Sequence, residues 1–257
     1  MQEYETVMPE VPSKPGKTPK IGVPGRSPNA ILSIMGTSKR TRGRAAKGPT
    51  VRLQSVREDN TRRILEATEP VFAVRGYAGA SMSRLAEASG LAKANLFYYF
   101  GNKDGLYRAV LEGILGQWLD DATVWIVEER GPAEGLAGYI RAKMAMTRQR
   151  PHASRIFAAE LLRGAPHIRK YLTGELRERV TELARVIGAW GAAGLMDPID
   201  PRHLLFDIWA MTQTYADFGT QICAVLDKRK LAETDFKLAT ETIVKLVLKG
   251  CGVVTAR

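Results

Sequence analysis

Lys93, Ala94, Asn95 and Tyr98 form a short outward-facing set within the segment SMSRLAEASGLAKANLFYYFGNK, which runs from Ser81 to Lys103. Basic, amide and small side chains at the start of a helix are what a DNA major groove accepts. Side chains there reach base edges, and the positive helix end favours phosphate. Tyr98, Tyr99 and Lys103 are expected to flank the groove as phosphate contacts. A second pair with chemical potential is Trp209 and Gln213, four residues apart. A flat indole beside a carboxamide suits a small planar polar ligand, because the ring stacks while the amide supplies one donor and one acceptor. The same spacing also fits a core tryptophan beside an amide satisfied by backbone.

These residues need helices to hold them. Ser81 can cap a first helix whose apolar positions are Met82, Leu85, Ala86 and Ala88. Ser89 and Gly90 end it, Gly90 supplying a backbone position with φ > 0, and Leu91 is expected to tuck between the two helices. The second helix runs from about Ala92 to Tyr99 with Leu96, Phe97 and Phe100 on its apolar side. Upstream, Ile64, Leu65, Thr68, Val71 and Phe72 mark a helix that contains Pro70, where a proline costs about 3 kcal/mol and a bend is expected. Downstream, Leu106, Val110, Leu111, Ile114, Leu115, Trp118 and Leu119 mark a long connecting helix from about Asn102 to Ile126. Further helices are expected at 133–150, 152–163, 166–193, 201–226 and 231–250, separated by glycine and proline breaks. With no alternating pattern anywhere, the fold class is all-α: an N-terminal helix-turn-helix three-helix domain followed by a C-terminal helical body.

Two stripes stand out in that body. Leu204, Ile208, Met211, Tyr215, Phe218 and Ile222 recur at spacings of four and three, and Phe236, Ala239, Ile243, Leu246 and Gly250 repeat the pattern on the last helix. Such seams pack against other helices, either within one subunit or in a four-helix bundle with a second copy. A single short recognition helix makes few contacts, so a paired half-site favours the homodimer.

As a spaced set, RGY at Arg75 to Tyr77, Ser81, LAEASGLAKANLFYYF and NKDGLYRAV resemble the TetR family of bacterial transcriptional regulators. Ala92 departs from the pattern by standing where the family often has a serine or threonine cap, and Pro70 is the other departure. The resemblance continues through RPHASRIFAAELLRGAP (Arg150 to Pro166), IDPRHLLFDIWAMTQTYADF (Ile199 to Phe218) and ILGQWL around Trp118. These segments are similar to the pyrimidine-utilisation branch of that family. The resemblance implies operator DNA and uracil or thymine as partners, Trp118 and Trp209 as walls of the ligand site, Gln213 as its polar reader and Tyr215 as a weaker contact. It implies a ligand-responsive regulator, expected to repress, in which effector binding changes the spacing of the two recognition helices and lowers DNA affinity. The connecting helix containing Trp118 is the expected lever. A different effector, or an architectural DNA binder with no ligand, are the competing readings.

The chain has 257 residues and a formal charge of +11, and the charge is uneven. Residues 1–57 hold eleven Lys/Arg against three Asp/Glu, a balance of +8. This leader is rich in proline, glycine and basic residues and is expected to be disordered, ahead of a helix-turn-helix domain at 58–103 and a ligand-binding and dimerisation domain at 104–257. Its cluster SKRTRGRAAKGPTVR, Ser38 to Arg52, would follow DNA phosphates or simply solubilise the chain. MGTSKRTRG at Met35 reads as a natural start. No secretory or membrane-spanning pattern is present, so a cytoplasmic protein is expected. Cys223 and Cys251 read as buried free thiols. An enzyme is disfavoured: His152, His167 and His203 lack metal-ligand spacing and read as surface residues, no cofactor motif is found, and Glu160 with Arg155 and Arg163 reads as a helix ion-pair cluster.

Overall fold

The computed structural model describes residues 49–253, and the basic cluster before Pro49 and the start at Met35 lie outside them. Eleven α-helices and two short irregular turns account for the described chain, without a strand among the described residues. The first helix, α1, spans Pro49–Gly79 and so begins nine residues inside the expected leader. Its break falls at Gly76 (φ 65°, ψ 175°) rather than at Pro70. Pro70 lies on the exposed side, where water can satisfy the carbonyl left without an N–H donor. Gly76 instead adopts a φ that only glycine reaches without strain.

Helix α2 (Met82–Ser89) and α3 (Lys93–Phe100) make the expected helix-turn-helix. Gly90 takes the left-handed conformation (φ 66°) and its N–H returns to Ala86 and Glu87, closing α2 as a left-handed cap does. Leu91 packs against the core beneath. Ala88 is exposed, and buried Ser89 takes the inward position by donating its hydroxyl to the Ala86 carbonyl at 2.9 Å. Phe97 is also largely exposed.

Helix α4 (Lys103–Trp125) is the expected connecting helix, capped by Asn102, whose side chain accepts the Gly105 N–H at 2.8 Å. Then follow a 3-10 turn at Glu128–Arg130, α5 (Gly131–Gln149), α6 (Pro151–Leu162), α7 (Arg169–Tyr171), a π turn (Leu172–Leu176) and α8 (Arg177–Ala192). The expected single helix at 166–193 is therefore shorter and interrupted. The expected 201–226 helix is divided into α9 (Pro201–Asp217) and α10 (Gly219–Val225), and α11 covers Glu233–Gly250.

Two cores share α4. The lower one joins Ile64 and Phe72 of α1, Leu85, Leu96 and the Leu106–Trp118 part of α4 to Met146, Ile156, Phe157 and Ile168. The upper one begins where α4 supplies Ala122 and continues through Ile140, Leu183, Ile187, Trp190, Leu205, Ile208 and Ile243. Each large aliphatic or aromatic side chain there contributes about 1.5–3 kcal/mol on burial, so the helix-turn-helix head is fastened to the body through α4, which serves both cores. Trp125 lies so close over α5 that a Cβ at Gly138 would fall 2.0 Å from its ring. Only glycine permits that approach.

The two sequence stripes are only partly inward. Leu204 and Ile208 are core residues, but Phe218 is 59% exposed because the chain leaves helical geometry there between α9 and α10. On α11 the buried face is Ala239, Ile243, Val244, Val247 and Leu248. Leu246 and Gly250 face outward, rotated from the face the spacing suggested.

Candidate DNA interface and ligand site

Lys93, Ala94, Asn95 and Tyr98 are all exposed on α3. Ser81 caps α2, its hydroxyl accepting the Arg84 N–H at 3.4 Å, whereas Ala92 leaves α3 without a side-chain cap. The uncapped N–H groups at the start of α3 are thereby left to solvent or to an anion. The lysine ammonium lies 5.9 Å from the Phe97 ring, and the Arg57 guanidinium 5.7 Å from the Tyr98 ring. Arg57 belongs to the stretch that the sequence assigns to the leader. The early start of α1 brings it beside the recognition helix.

Tyr99 and Lys103 are held more inwardly. Asn60 of α1 donates to the Tyr99 hydroxyl at 3.1 Å, and the Lys103 ammonium donates to the Tyr77 carbonyl at 3.0 Å while lying 4.3 Å from that ring. Both residues fix the angle between α1, α3 and α4. Any phosphate contact from Lys103 has to be made by an ammonium already anchored at Tyr77.

In the body, α5 ties the two indoles together. Tyr139 accepts a hydrogen bond from the Trp209 indole N–H at 2.7 Å. One turn later the Lys143 ammonium sits 4.0 Å from the Trp118 ring centre, whose other contact is an edge-on Phe157 at 5.2 Å. Lys143 is 2% exposed, and burial lowers its pKa to about 7, with Asp121 and Asp217 opposing the shift. Burial in turn raises the carboxyls of Asp121 and Asp217. The Ser154 hydroxyl and one Asp217 oxygen are buried without a hydrogen-bond partner. Gln213 is half-buried one turn after Trp209, and Tyr215 is half-buried with its ring 6.3 Å from Phe236.

Of the four ligand residues expected from sequence, Tyr215 alone lines the 680 Å³ cleft between the start of α6, α10 and the start of α11. Trp209 meets Tyr139 and Trp118 meets Lys143 in the interior instead, and Gln213 does not line the cleft.

Two polar junctions connect head and body. Arg150, between α5 and α6, pairs with Glu69 of α1 and donates to Gln117 of α4, the neighbour of Trp118. Glu160 is fully buried. It accepts the His167 N–H at 2.7 Å and lies 3.1 Å from that ring, which packs on Tyr77 and Tyr107. The Tyr107 hydroxyl is raised to about 12 by burial and the nearby Glu160. Glu160 is therefore the centre of a buried junction with His167 rather than of a helix ion-pair cluster with Arg155 and Arg163, and His167 is inside the fold rather than on its surface. Arg155 donates elsewhere, to the Ala216 carbonyl at 3.0 Å. His152 is likewise half-buried, with its Nδ1 unpartnered, and only His203 is exposed.

Residues 64–110 match the family described as "Bacterial regulatory proteins, tetR family", and residues 111–254 match "YcdC-like protein, C-terminal region". The chain belongs to the TetR family. It is 36% identical over 218 residues to the HTH-type transcriptional regulator RutR of Escherichia coli K12, a match spanning 85% of this chain and 96% of that one. It is 30% identical over 164 residues to the HTH-type transcriptional repressor NicS of Pseudomonas putida, covering 61% of this chain and 76% of the relative. Among solved structures, the ketosteroid transcriptional regulator KstR2 of Mycobacterium tuberculosis superposes with a TM-score of 0.60 at 17% identity, covering 76% of this chain and 95% of that one.

As a TetR-family member the protein is a DNA-binding transcriptional regulator and not an enzyme. Its helix-turn-helix lies within the matched head. Sequence reasoning missed Lys143, Tyr139, Asp121 and Asp217. The one available signal was a lysine set among the apolar residues of α5, where a charge has to be compensated inside the fold. Cys223 and Cys251 are both free, but only Cys251 is buried. Cys223 is half-buried and lines the cleft. No helix among the described residues is long and apolar enough to cross a membrane.

Proposed function

We propose that this TetR-family protein is a cytoplasmic, homodimeric repressor whose affinity for operator DNA falls when uracil, thymine or a related pyrimidine occupies the interior around Tyr139 and Lys143. The carrying observation is the position of α4. Its first half packs on the head, and its second half brings Trp118 and Asp121 to the buried polar cluster. One rigid element thus touches both proposed sites, and a ligand that repacks one end biases the other.

The chemistry of the cluster supports a pyrimidine. A planar imide ring alternates carbonyl acceptors with N–H donors. Lys143 offers an ammonium, Asp121 and Asp217 offer carboxylates, Gln213 offers both functions, and Trp118 and Trp209 offer flat apolar surface. The 36% identity to RutR extends over this body and supports the same branch that the sequence motifs resemble. Lys93, Ala94, Asn95 and Tyr98 are the proposed DNA-reading surface, flanked by Ser81, Tyr99 and Lys103.

A second reading, a DNA binder without an effector, draws support from the Lys143 ammonium, which already occupies one face of Trp118. A mobility-shift titration at constant salt, on an operator first selected by the protein from a random DNA pool, separates the two. Uracil is expected to weaken binding by five-fold or more, in the usual range of about 1–3 kcal/mol of coupling. The Gln213→Ala variant is expected to bind operator normally and lose most of that response. Unchanged operator affinity at saturating uracil and thymine would reject the pyrimidine effector.

A further inference from the structure

The 680 Å³ cleft that Tyr215 lines carries five cationic side chains, Arg148, Arg155, Lys228, Arg229 and Lys230, against one carboxylate, Glu233. Arg148 is paired with Glu233 at 2.7 Å, and Lys228 with Asp235. Arg155, Arg229 and Lys230 have no acidic partner within ion-pair distance among the described residues. Arg155 is fixed by its bond to the Ala216 carbonyl. The turn carrying residues 228–230 is set by Asp227 in the left-handed region (φ 51°) and by the Lys228 N–H returning to Cys223 at 2.8 Å. Asp235 completes the turn by accepting the Ala232 N–H at 2.7 Å. Tyr215 and Phe236, whose tilted rings lie 6.3 Å apart, also line the cleft.

Arginines recognise phosphate through paired charge-assisted hydrogen bonds, concave sites of one sign concentrate ligands of the other, and aromatic rings accept flat bases. The volume lies within the usual range for small-molecule sites. We propose that this cleft binds a planar small molecule bearing a phosphate, of the nucleoside monophosphate class, at a site separate from the interior around Trp118 and Trp209. This assignment does not depend on the pyrimidine effector reading.

Calorimetric titration of the full-length protein with uridine monophosphate and with inorganic pyrophosphate, each with and without saturating uracil, tests it. The nucleotide is expected to bind more tightly than pyrophosphate, equally well in the presence of uracil, and about tenfold or more weakly in the Arg229→Gln/Lys230→Gln variant. In the wild type, the nucleotide is expected to slow labelling of the Cys223 thiol in the cleft, a readout that does not depend on the variant folding. Absence of nucleotide binding, unchanged affinity in the variant, displacement by uracil, equal affinity for pyrophosphate, or displacement by a duplex of random sequence would each overturn the proposal.

Discussion

Lys143 carries the largest electrostatic tension at the level of single residues. Its ammonium lies among Trp118, Asp121 and Asp217, and burial outweighs the two carboxyls so that its pKa falls from 10.5 to about 7. In the unfolded chain the lysine binds its proton up to about pH 10.4, so between pH 7 and 10 the unfolded state holds more protons than the native one and stability rises with pH. The penalty is complete below about pH 7. At 1.36 kcal/mol per unit, it amounts to roughly 3 to 5 kcal/mol before relaxation. Lys143→Met is therefore expected to raise the melting temperature most at pH 6 and progressively less by pH 9, as read by thermal denaturation in buffers of matched ionic strength. A pH-independent difference between wild type and variant would remove Lys143 as the titrating group.

Among the elements, α3 begins without a side-chain cap and exposes Lys93, Ala94, Asn95 and Tyr98 together. A base-reading residue and a phosphate-reading residue fail differently. Asn95→Ala is expected to cost about 1–3 kcal/mol on the operator and to relax preference at one base position. Lys93→Ala is expected to weaken binding to all sequences and to reduce the slope of log affinity against log salt by about one per subunit. Fluorescence anisotropy across a salt series and a set of single-base operator variants distinguishes them. Arg150 ties Glu69 of the head and Gln117 of α4, beside Trp118, to a single guanidinium.

At the scale of the whole molecule, apolar side chains remain uncovered on α9 to α11. Phe206 is 45%, Phe218 59%, Leu238 67% and Leu246 60% exposed. Large exposed apolar groups on adjacent long helices are expected to be buried in a second copy, and a two-fold bundle of α9 and α11 with their partners would cover them. The double variant Leu238→Glu/Leu246→Glu is expected to sediment as a monomer, keep its helical content and lose at least tenfold in operator affinity, because it forfeits the paired half-site. A variant that sediments as a dimer with normal operator affinity would place the subunit contact elsewhere.

Local chemistry determined much of this. The serine cap, the left-handed glycine and the Leu96 register were legible in SMSRLAEASGLAKANLFYYF because capping and helical period depend on residues a few positions apart. The all-α class and the long connecting helix were legible for the same reason. Spacing could not reveal the orientation of a face between competing neighbours. Leu246 points out and Val247 in, Phe218 falls at a break, Glu160 meets His167 rather than Arg155, and Tyr215 opens onto a cleft away from Trp118. Those outcomes rest on contacts between residues distant in sequence, as does the meeting of Lys143 with Trp118 and Asp217. Helix period dictates which side chains share a face, but only the packing of one helix against another decides what that face meets.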